Sequence, residues 1–373
     1  MIVYPAEFNA RKEAVFSALS QAAGRGKRLP LIPMSWRDWP ETAARVALAV
    51  SRAKHQPRWG VTKWLKRLLI RLQYNGARRY FAAHPGHIAV AWNGLAGSRM
   101  AFLAAARDAG ARTLQAELAP FPGRITLDAM GVNAESAVPQ DAGFYRDWAN
   151  DPTRTGDAWR AMGAQLQART SRRHDVEQGD ADLPKTPFLF CPLQVPDDTQ
   201  VTLFAGWCGG MEGFLTALNR AAHHLPQGWH LRLKEHPSAR QSLRALLDPL
   251  LPSGRIILDN STDSFAQLAA SRGVVTLNSS MGLQAFFHDR PVVTLGRAFW
   301  AMPGLVTPVS DQNALNAAFA TPDALTYDPA FRAKFMNWLD QVYYPRFTWP
   351  GGEADLAAFR AKLPVLAPIP PLG

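Results

Sequence analysis

The chain contains the stretches Leu233-Lys234-Glu235-His236-Pro237 and Val274-Val275-Thr276-Leu277-Asn278-Ser279-Ser280-Met281-Gly282. The second stretch is an apolar strand pattern that continues into Asn-Ser-Ser and then into a helical pattern, which directs backbone N–H groups and a partial positive charge beyond the strand end. This arrangement predicts a seat for a phosphate. In the first stretch, Pro237 biases His236 toward extended geometry, so its ring can donate to the same anion. Each motif alone is also typical of a strand-end turn or a helix N-cap, but the pair favours a nucleotide-sugar site.

The length and composition are those of a folded protein with two domains. The chain has 373 residues, more than one core usually fills, and 47% of them are hydrophobic. No charge-free run of about 18 apolar residues occurs, which argues against a transmembrane helix. Residues 1–7 lack the basic-then-apolar order of a signal peptide, so we expect a cytoplasmic protein. Cys191 and Cys208 are too few for a zinc site and are expected in a core, so no metal, disulfide or cofactor is predicted.

The chain is strongly basic. Lysine and arginine number 41 against 30 aspartates and glutamates, and the net charge is +11. Such an excess indicates an anionic partner, which can be nucleic acid, a lipid surface or acidic sugars. Nucleic acid is not expected, because no recognition module or aromatic-basic motif is visible. The cations concentrate in residues 54–79, which contain no acidic residue.

Residues 54–79 also predict a basic amphipathic helix. The apolar positions at helical spacing are Val61, Trp64, Leu65, Leu68, Leu69 and Leu72. Other faces carry Lys63, Lys66, Arg67 and Arg71. Two interpretations follow. The helix either packs on the core with a solvated cationic side, or docks on an anionic membrane surface, where each cation contributes about 1 kcal/mol.

The pattern from residue 86 onward predicts a parallel sheet with helical crossovers. A strand at 87–92 is followed by a helix at 99–109 and a second strand at 111–116. Sites in such sheets lie at the carboxyl ends of the strands. Here these ends carry Asn93-Gly94 after the first strand and Glu117 after the second.

A second alternating unit follows a polar stretch at 172–182, which we interpret as the interdomain linker. Its predicted strands are 188–193, 229–234, 256–258, 273–277 and 291–296, and its predicted helices are 211–223 and 281–288. The predicted architecture is α/β, with two doubly wound domains facing a cleft. The first domain is 1–175, the second is 186–330, and a helical tail at 331–373 crosses back to the first.

Five sequence blocks occur in the order typical of one known family. They are Trp92-Asn93-Gly94, Glu117 with Ile125–Asn133, Pro192–Gln200, Lys234–Pro237 and Asn278–Ala285. Together they resemble the capsular polysaccharide synthesis proteins, which include the bacterial β-Kdo transferases of capsule and lipopolysaccharide assembly. The Gln-x-x-x-Asp-Thr-Gln block at 194–200 is the most specific. Residues before 86 match nothing in the family, and the chain carries one transferase module where some relatives have two.

The resemblance implies a GT-B-type glycosyltransferase with two Rossmann-like domains, which takes Kdo from CMP-Kdo with retention and without a protein-bound metal. Departure of CMP develops negative charge, which His236 and the N–H groups of Ser279 and Ser280 can stabilise. Two carboxylates can serve the oxocarbenium-like centre and the acceptor. Asp198 is the candidate nucleophile or ion-pair partner, and Glu117 is the candidate base for the acceptor hydroxyl.

Other residues of the blocks receive supporting roles. Asp197 is an alternative to Asp198, although the two side chains point apart in an extended segment, and Asp198 can instead cap the turn at Thr199 or Gln200. Gln194 can hold Asp198 or the carboxylate of the donor. The further candidates for the donor site are Lys234, Pro237, Asn278, Gly282 and Arg297. The candidates for the acceptor side, or for shaping its loop through side-chain-to-backbone hydrogen bonds, are Asn93, Gly94, Asp128 and Asn133.

Three other functions are compatible with the same motifs. The first is a transferase of the same fold that uses another nucleotide-activated sugar, and the second is a noncatalytic polysaccharide-binding or export-linked protein. The third, a nucleoside-diphosphate-sugar epimerase, needs more acid and base groups in its second half. The joint presence of Asp198, Glu117 and His236 favours an active enzyme. Its expected partners are a nucleotide sugar and a glycan or glycolipid acceptor, at the inner face of the cytoplasmic membrane.

Overall fold

The computed structural model describes residues 1–54, 59–168, 171–180, 183 and 186–364. It divides the chain into two compact units. The first unit combines Met1–Val138 with Asp340–Gly373, and the second is Pro139–Leu339. Arg58 of the predicted basic helix, and Ala181 and Asp182 of the predicted linker, lie outside the described residues.

The regular elements alternate between strands and helices along most of the chain. The strands are β1 Ile2–Pro5, β2 Gly26–Leu29, β3 Ile88–Trp92, β4 Arg112–Leu118, β5 Ile125–Asp128, β6 Phe188–Pro192, β7 His230–Lys234, β8 Ile256–Leu258, β9 Gly273–Thr276, β10 Val292–Thr294 and β11 Thr307–Pro308. The helices are α1 Ala10–Ala22, α2 Thr42–Ser51, α3 Gly60–Ala82, α4 Gly97–Asp108, α5 Ala142–Trp148, α6 Pro152–Thr155, α7 Thr199–Phe204, α8 Met211–Ala222, α9 Arg244–Leu247, α10 Ser264–Ala270, α11 Ser280–Gln284, α12 Gln312–Ala320, α13 Pro329–Trp338 and α14 Leu356–Ala361. Short 3₁₀ turns lie between them, and a π-helical turn spans Leu339–Tyr343.

The first unit contains a sheet in the order β2-β1-β3-β4-β5. Its strand pairs are parallel except for β4 and β5, which are antiparallel. This is the flavodoxin-like doubly wound order, closed at one edge by an antiparallel strand. The order reverses between β1 and β3, so the carboxyl ends of these two strands mark the point where such sheets bind ligands.

The core of the first unit lies on both faces of its sheet, because successive side chains of a strand point to opposite faces. Val3, Ala89 and Ala91 pack with the helices α2, α3 and α4. Ile2 and Val90 pack on the other face with α1, Phe347 and Phe359 of the C-terminal segment. The residues after 340 therefore complete a core whose other members come from the first 138 residues.

The second unit contains an all-parallel sheet in the order β11-β10-β9-β6-β7-β8. Counted from β6, this is the 3-2-1-4-5-6 order of dinucleotide-binding sheets. The order reverses between β6 and β9. One face is covered by α8 and α12, whose Phe214, Leu218 and Phe319 pack against Leu231 and Val275 of the sheet. Both units are thus Rossmann-like, and the predicted α/β fold class is confirmed.

The boundary between the units differs from the predicted one at residue 175. Residues from 139 onward group with the second unit because their side chains pack on α13. The ring centroid of Tyr145 lies 5.3 Å from that of Phe335 and 5.7 Å from that of Trp338. Asn337 accepts a hydrogen bond from Trp159 N on its Oδ1. The C-terminal segment that belongs to the first unit accordingly begins at Asp340, whereas the predicted tail began at 331.

Four strands of the two sheets, β1, β2, β5 and β11, were not predicted, and the residues of β5 were noted only as part of a sequence block. β1 and β2 precede residue 86, have four residues each, and β2 is mostly exposed Gly-Lys-Arg, so neither shows a strong alternating pattern. β11 has two residues and adds an edge beyond β10, which was expected to close the sheet. Within the described ranges, no helix is both long and apolar enough to cross a membrane.

Candidate functional site

Gln194 and Asn278 occupy the point where the strand order of the second unit reverses. Gln194 follows β6, and Asn278 follows β9. Gln194 Nε2 donates to Asn278 Oδ1 at 2.9 Å, and Asn278 N donates to Gln194 Oε1 at 3.3 Å. Both side chains are buried. This amide pair fixes the edge at which doubly wound sheets bind nucleotides.

The side-chain Nδ2 of Asn278 donates hydrogen bonds to backbone carbonyl groups of the protein. Its Nδ2 donates to Gln200 O at 2.9 Å, to Phe204 O at 3.0 Å and to Arg297 O at 3.3 Å. These bonds tie α7 and the segment after β10 to the switch point. Asn278 and Gln194 are therefore positioning residues. The expected direct contact of Asn278 with the donor, and of Gln194 with Asp198, is replaced by their contact with each other.

Asp198 is the N-cap of α7. Its Oδ1 accepts from Gln200 N at 2.8 Å, which is the capping role that the sequence also allowed. Its Oδ2 has no hydrogen-bond partner in the described part of the chain, and the side chain is half-buried. Asp197 beside it is exposed. One carboxylate oxygen of Asp198 is thus occupied by the helix cap, and the other can bind a ligand.

The turn after β7 fixes the tautomer of His236. Its Nδ1 accepts a hydrogen bond from Ser238 N at 3.0 Å, so the proton of the neutral ring is on Nε2. Pro237 O accepts from Arg172 N at 2.8 Å, which holds the turn against the stretch that we had interpreted as a linker. His236 is therefore a donor through Nε2, at the carboxyl end of the strand next to β6.

Glu235, which the sequence analysis did not single out, anchors this turn. Its buried carboxylate pairs with the guanidinium of Arg173 at 2.9 and 3.0 Å, and also accepts from Asn260 Nδ2 at 2.8 Å and from Leu243 N. Burial raises the pKa of this carboxyl, but Arg173, Leu243 N and Asn260 outweigh it and hold the pKa below its usual value. The signal available in the sequence was a charged residue between a strand and the His-Pro turn.

Lys234 is not the spare cation that we expected near the donor phosphate. It is 2% exposed, and its Nζ donates to Glu177 O at 2.7 Å, Asn260 O at 3.1 Å and Thr262 O at 2.6 Å. All three protons of the ammonium group are used, and burial lowers the pKa of Lys234 to about 8. Arg297, the other expected cation, is exposed and lies over the ring of Phe204 at 5.5 Å.

The predicted phosphate seat contains fewer free N–H groups than expected. Ser279 N donates to Thr276 Oγ1 at 3.1 Å, while Ser279 Oγ caps α11 by accepting from Met281 N. Ser280 N has no hydrogen-bond partner in the described ranges. A Cβ on Gly282 would lie 2.5 Å from Cη2 of the buried Trp300, so this glycine serves packing rather than the donor. Ser280 N is thus the N–H of the Asn-Ser-Ser turn that is available to an anion.

The corresponding edge of the first unit brings Asn93 and Glu117 together. Asn93 adopts a left-handed conformation with φ 63°, and its Nδ2 donates to Glu117 Oε2 at 2.8 Å. Glu117 Oε1 accepts from Leu118 N at 3.0 Å. Gly94 also has positive φ, and a Cβ there would lie 2.5 Å from Leu103 Cδ1. The tight turn after β3 therefore requires glycine, and it orients the carboxylate of Glu117.

Asp128 and Asn133 shape the loop after β5. Asp128 Oδ1 accepts from Met130 N at 2.7 Å, and its Oδ2 accepts from Ala137 N at 2.7 Å and from Tyr343 OH at 2.8 Å. Asn133 has φ 57° at the start of a 3₁₀ turn. The carboxylate of Asp128 is buried and used by the protein, so it organises this loop.

Glu7, at the end of β1, is a further buried carboxylate that the sequence analysis missed. Its carboxylate lies 2.6 Å from the guanidinium of Arg99 and 3.3 Å from Lys12 Nζ. It lies at the end of a strand at the reversal of the first sheet, where a charged residue directly after an apolar strand was the available signal. Because Lys12 is in α1 and Arg99 is in α4, Glu7 links the first turns of these two helices.

The strand orders and the polar residues at the carboxyl ends of the two sheets define the class of the protein. It has the GT-B-type fold of two Rossmann-like units, as predicted. The solved KpsC β-Kdo 2,7-transferase from Thermosulfurimonas dismutans has a similar fold, with a TM-score of 0.53 over 97% of this chain and 99% of that one, at 13% sequence identity.

Sequence comparison identifies the family. The model of the capsule polysaccharide biosynthesis protein family matches residues 150–347. The chain belongs to this family, which confirms the predicted resemblance. It is 31% identical to protein FixF of Sinorhizobium fredii over 62% of this chain and 54% of that one. It is 29% identical to the capsule polysaccharide modification protein LipB of Neisseria meningitidis serogroup A over 42% and 41%. The chain thus spans about half the length of these curated relatives.

Proposed function

We propose that the chain is a glycosyltransferase that moves Kdo from CMP-Kdo to a lipid-linked or oligosaccharide acceptor in capsular or surface polysaccharide biosynthesis. Membership of the capsule family supports a role in polysaccharide assembly, and the fold is shared with a β-Kdo transferase. One observation carries the proposal. At neighbouring strand ends of the second unit, a histidine with a fixed N–H donor and an aspartate with an uncommitted oxygen follow β7 and β6.

Donor activation follows from the turn geometry. When the bond between the anomeric carbon and the phosphate oxygen breaks, negative charge develops on CMP. His236 Nε2–H and Ser280 N–H are the donors proposed to stabilise this charge, and both are held in place before the reaction by Ser238 N and by the cap of α11. No metal is required in this scheme, since hydrogen-bond donors supply the stabilisation.

Transfer to the acceptor uses two carboxylates in the proposed mechanism. Asp198 Oδ2 attacks or ion-pairs with the anomeric carbon as CMP leaves, and the acceptor hydroxyl then displaces it, so two inversions give retention. Glu117 accepts the proton of the acceptor hydroxyl. Its carboxylate is oriented for this task by Asn93 Nδ2.

The function is tested by measuring CMP release from enzymatically generated CMP-Kdo, with and without a synthetic Kdo-terminated glycolipid. We expect release that depends on the acceptor and is lost in Asp198→Asn, which retains CMP binding. CMP binding without release would indicate another donor sugar. Absence of CMP binding on calorimetry would contradict the proposal and favour a noncatalytic polysaccharide-binding protein.

We also propose that the exposed first half of α3 docks on an anionic membrane at its cytoplasmic face, where a lipid-linked acceptor is found. The apolar residues there do not pack on the core: Trp59 is 77% and Trp64 60% exposed, and burial along the helix begins at Ile70. Lys63 and Arg67 lie among them without an ion pair in the described ranges. Exposed tryptophans and cations on one surface match the interfacial region of an anionic bilayer.

Vesicle co-sedimentation tests this docking. Binding to vesicles of phosphatidylglycerol and phosphatidylcholine is compared with binding to phosphatidylcholine alone. Because one cation near an anionic surface contributes about 1 kcal/mol, Arg67→Gln should weaken binding to the anionic vesicles about fivefold. Arg79→Gln is the matched control, since Arg79 is exposed on the last turn of the same helix. Equal losses in both variants would show a general charge effect instead of docking by this surface.

A further inference from the structure

Residues 30–36, between β2 and α2, carry apolar side chains that do not enter the core. Leu31 is 76%, Met34 50% and Trp36 74% exposed. Ile32 between them is 7% exposed and belongs to the apolar cluster that contains residues of α2, α3 and α4. Ile32 therefore anchors the segment to the core, while its other large apolar side chains lie on the surface. Exposed apolar side chains that cluster in this way mark interaction sites.

Two close backbone contacts hold residues 30–36 against the middle of α3. Ser35 N donates to Leu72 O at 3.0 Å. A Cβ on Gly76 would lie 2.1 Å from Pro33 O, so a glycine is needed where the segment crosses the helix. Leu72 and Gly76 are four residues apart and share one face of α3, so the segment lies on that face.

The exposed half of α3 has an apolar stripe that is separate from the stripe on the core. Leu65, Leu69 and Leu72 follow one another at helical spacing, and Gly76 continues their face. The stripe that packs on the core consists of Ile70, Tyr74, Ala77 and Phe81. With 3.6 residues per turn, the centres of the two stripes are about 140° apart. The first stripe therefore faces away from the core, and residues 30–36 extend it beyond Leu72.

Both parts of this apolar surface lie at the carboxyl edge of the first sheet. Residues 30–36 follow the carboxyl end of β2, which is parallel to β1 and, through it, to β3. The last turn of α3 leads into the amino end of β3, so the first half of the helix extends toward the opposite edge. The carboxyl edge also carries Asn93 and Glu117. The apolar surface and the candidate base for the acceptor are thus on the same edge.

The charges around this surface fit an anionic partner. Arg37, Lys63 and Arg67 make no ion pair within the described ranges. The carboxylate of Asp38 is neutralised, because its Oδ1 accepts from Arg71 Nε at 2.8 Å. A second copy of the chain would bring the same unpaired cations against each other, whereas an anionic bilayer matches both the cations and the exposed tryptophan and leucine side chains.

We propose that residues 30–36 insert into an anionic bilayer beside the first half of α3, so that the first unit presents the carboxyl edge of its sheet to the membrane. This inference rests on the proposed docking of α3, to which it adds an apolar contribution that salt does not screen. Trp36 lies at the interface, and Leu31 and Met34 enter the acyl region. A lipid-linked acceptor in that bilayer then approaches the edge that carries Glu117.

Insertion is measured on the full chain with a single environment-sensitive NBD label. The label is attached to Met34→Cys, because Cys191 and Cys208 are buried and do not compete for the dye. In vesicles of phosphatidylglycerol and phosphatidylcholine, lipids with a quencher on the acyl chain should quench this label. Gln21→Cys is the matched control and should not be quenched, since Gln21 is exposed on the last turn of α1, near the amino edge of the sheet.

A second measurement compares the affinities of variants for the same vesicles. Leu31→Ser combined with Trp36→Ser should weaken binding at least tenfold, because a single leucine side chain removed from water already supports such a change. The loss should persist at 1 M salt, where the Debye length is about 3 Å, whereas the loss in Arg67→Gln should disappear. Met130→Ser is the matched control, since Met130 is 70% exposed in the loop after β5.

Two results would overturn the insertion. The label at Met34→Cys could stay unquenched in protein that sediments with the vesicles, which would show that α3 docks without residues 30–36. The label could instead respond to protein concentration in the absence of lipid, with a dimer in light scattering, which would assign the surface to a second copy. Thermal unfolding of each variant shows whether a loss of binding reflects misfolding.

The outcomes for insertion and for the transferase separate. CMP release by the wild type with a soluble Kdo-terminated oligosaccharide does not depend on a membrane. Such release without quenching of the label at Met34→Cys removes the insertion and keeps the transferase. Quenching of that label in a protein that does not bind CMP keeps the insertion and removes the transferase.

Discussion

The carboxylate of Asp198 divides its two oxygens between two tasks. Oδ1 caps α7 through Gln200 N, and Oδ2 has no partner within the described ranges. Asparagine is about as good an N-cap as aspartate, whereas alanine is not. Substitutions can therefore separate the contribution of the cap to stability from the chemistry of the carboxylate.

Asp198→Asn should change the free energy of unfolding by less than about 0.5 kcal/mol, while Asp198→Ala should lower it by about 1 kcal/mol through the lost cap. Both should abolish acceptor-dependent CMP release. Denaturant unfolding and the CMP assay measure the two effects. Full activity in Asp198→Asn would exclude this carboxylate from the reaction and return attention to Asp197.

Glu235 predicts a dependence of stability on pH. Its pKa is held below its ordinary value of 4.5 in the folded state, against the effect of burial, by Arg173, Leu243 N and Asn260. The folded state therefore binds the proton less readily than the unfolded state, so the stabilisation is complete above pH 4.5 and is lost as the pH falls through the lower native pKa. Glu235→Gln should lower stability at pH 7 by about 3 kcal/mol, because it leaves Arg173 partly unpaired.

The measurement is denaturant unfolding of wild type and Glu235→Gln between pH 7 and pH 3. The difference between the two should shrink as the pH falls. Asp175→Asn is the matched control, since Asp175 pairs with the same guanidinium but is exposed. A difference that stays constant down to pH 3 would contradict the role of ionised Glu235.

The sequence predicts which polar residues lie at the site, but it does not predict their hydrogen-bond partners. Lys234 and His236 were both expected at the donor phosphate. The acceptors of Lys234 Nζ come from Glu177 and from the segment after β8, and the partner of Glu235 is Arg173, 62 residues away. Contacts between distant segments leave no trace in local spacing, so a lysine that serves the fold cannot be distinguished from one that serves a ligand.

Among the elements, α3 shows what helical periodicity reveals and what it omits. The spacing of Trp64, Leu65 and Leu68 predicted the helix, but the covered part begins only at Ile70. The helix has 23 residues, a length of about 34 Å, and is therefore longer than the face that α2 and α4 can cover. A periodic pattern gives the direction of the apolar face, whereas burial depends on where neighbouring elements end.

Two substitutions should show that the two halves of α3 contribute differently to the free energy of unfolding. Trp64→Ser should leave the free energy of unfolding within about 0.5 kcal/mol of wild type, because the side chain is exposed. Ile70→Ala should cost about 2–5 kcal/mol, because it leaves a cavity between α3 and its neighbours. Denaturant unfolding measures both. A large cost for Trp64→Ser would place this residue in a packed environment and remove the argument for docking.

In both sheets, the local sequence predicts the buried central strands but not the short ones. Buried central strands such as β3, β6 and β9 are short apolar runs between turn signals, so the sequence predicted them close to their observed bounds. The strands β1, β2 and β11 have only two to four residues each. In addition, β1 pairs with β2 on one side and with β3 on the other, although the helices α2 and α3 separate β2 from β3 in the sequence. Short strands become recognisable once their partners are known.

In the molecule as a whole, the first unit is discontinuous. Its sheet comes from the first 138 residues, and the last helix on one face, α14, follows the complete second unit. Phe359 is fully buried in the cluster that contains Phe16 and Leu19 of α1, and Arg360 Nε donates to Ala22 O at 3.0 Å. The core of the first unit therefore depends on residues that are distant in sequence.

Phe359→Ala should lower the stability of the first unit by about 3–5 kcal/mol and leave the affinity for CMP unchanged. Hydrogen exchange should increase in α1, β1 and β3 and not in β6, β7 and β9. Phe319→Ala, a buried residue in the core of the second unit, is the reciprocal control and should show the opposite pattern. An equal increase of exchange in both units after either substitution would show that they unfold together.

The position of α14 has a consequence for folding during synthesis. The ribosome produces the complete second unit before the segment that covers α1, so β6 to β11 can fold while one face of the first sheet is still exposed. During that interval Phe16 and Leu19 lack part of their cover and are open to chaperones or to other nascent chains. The segment that is translated first, Met1–Val138, is thus the last to reach its native state.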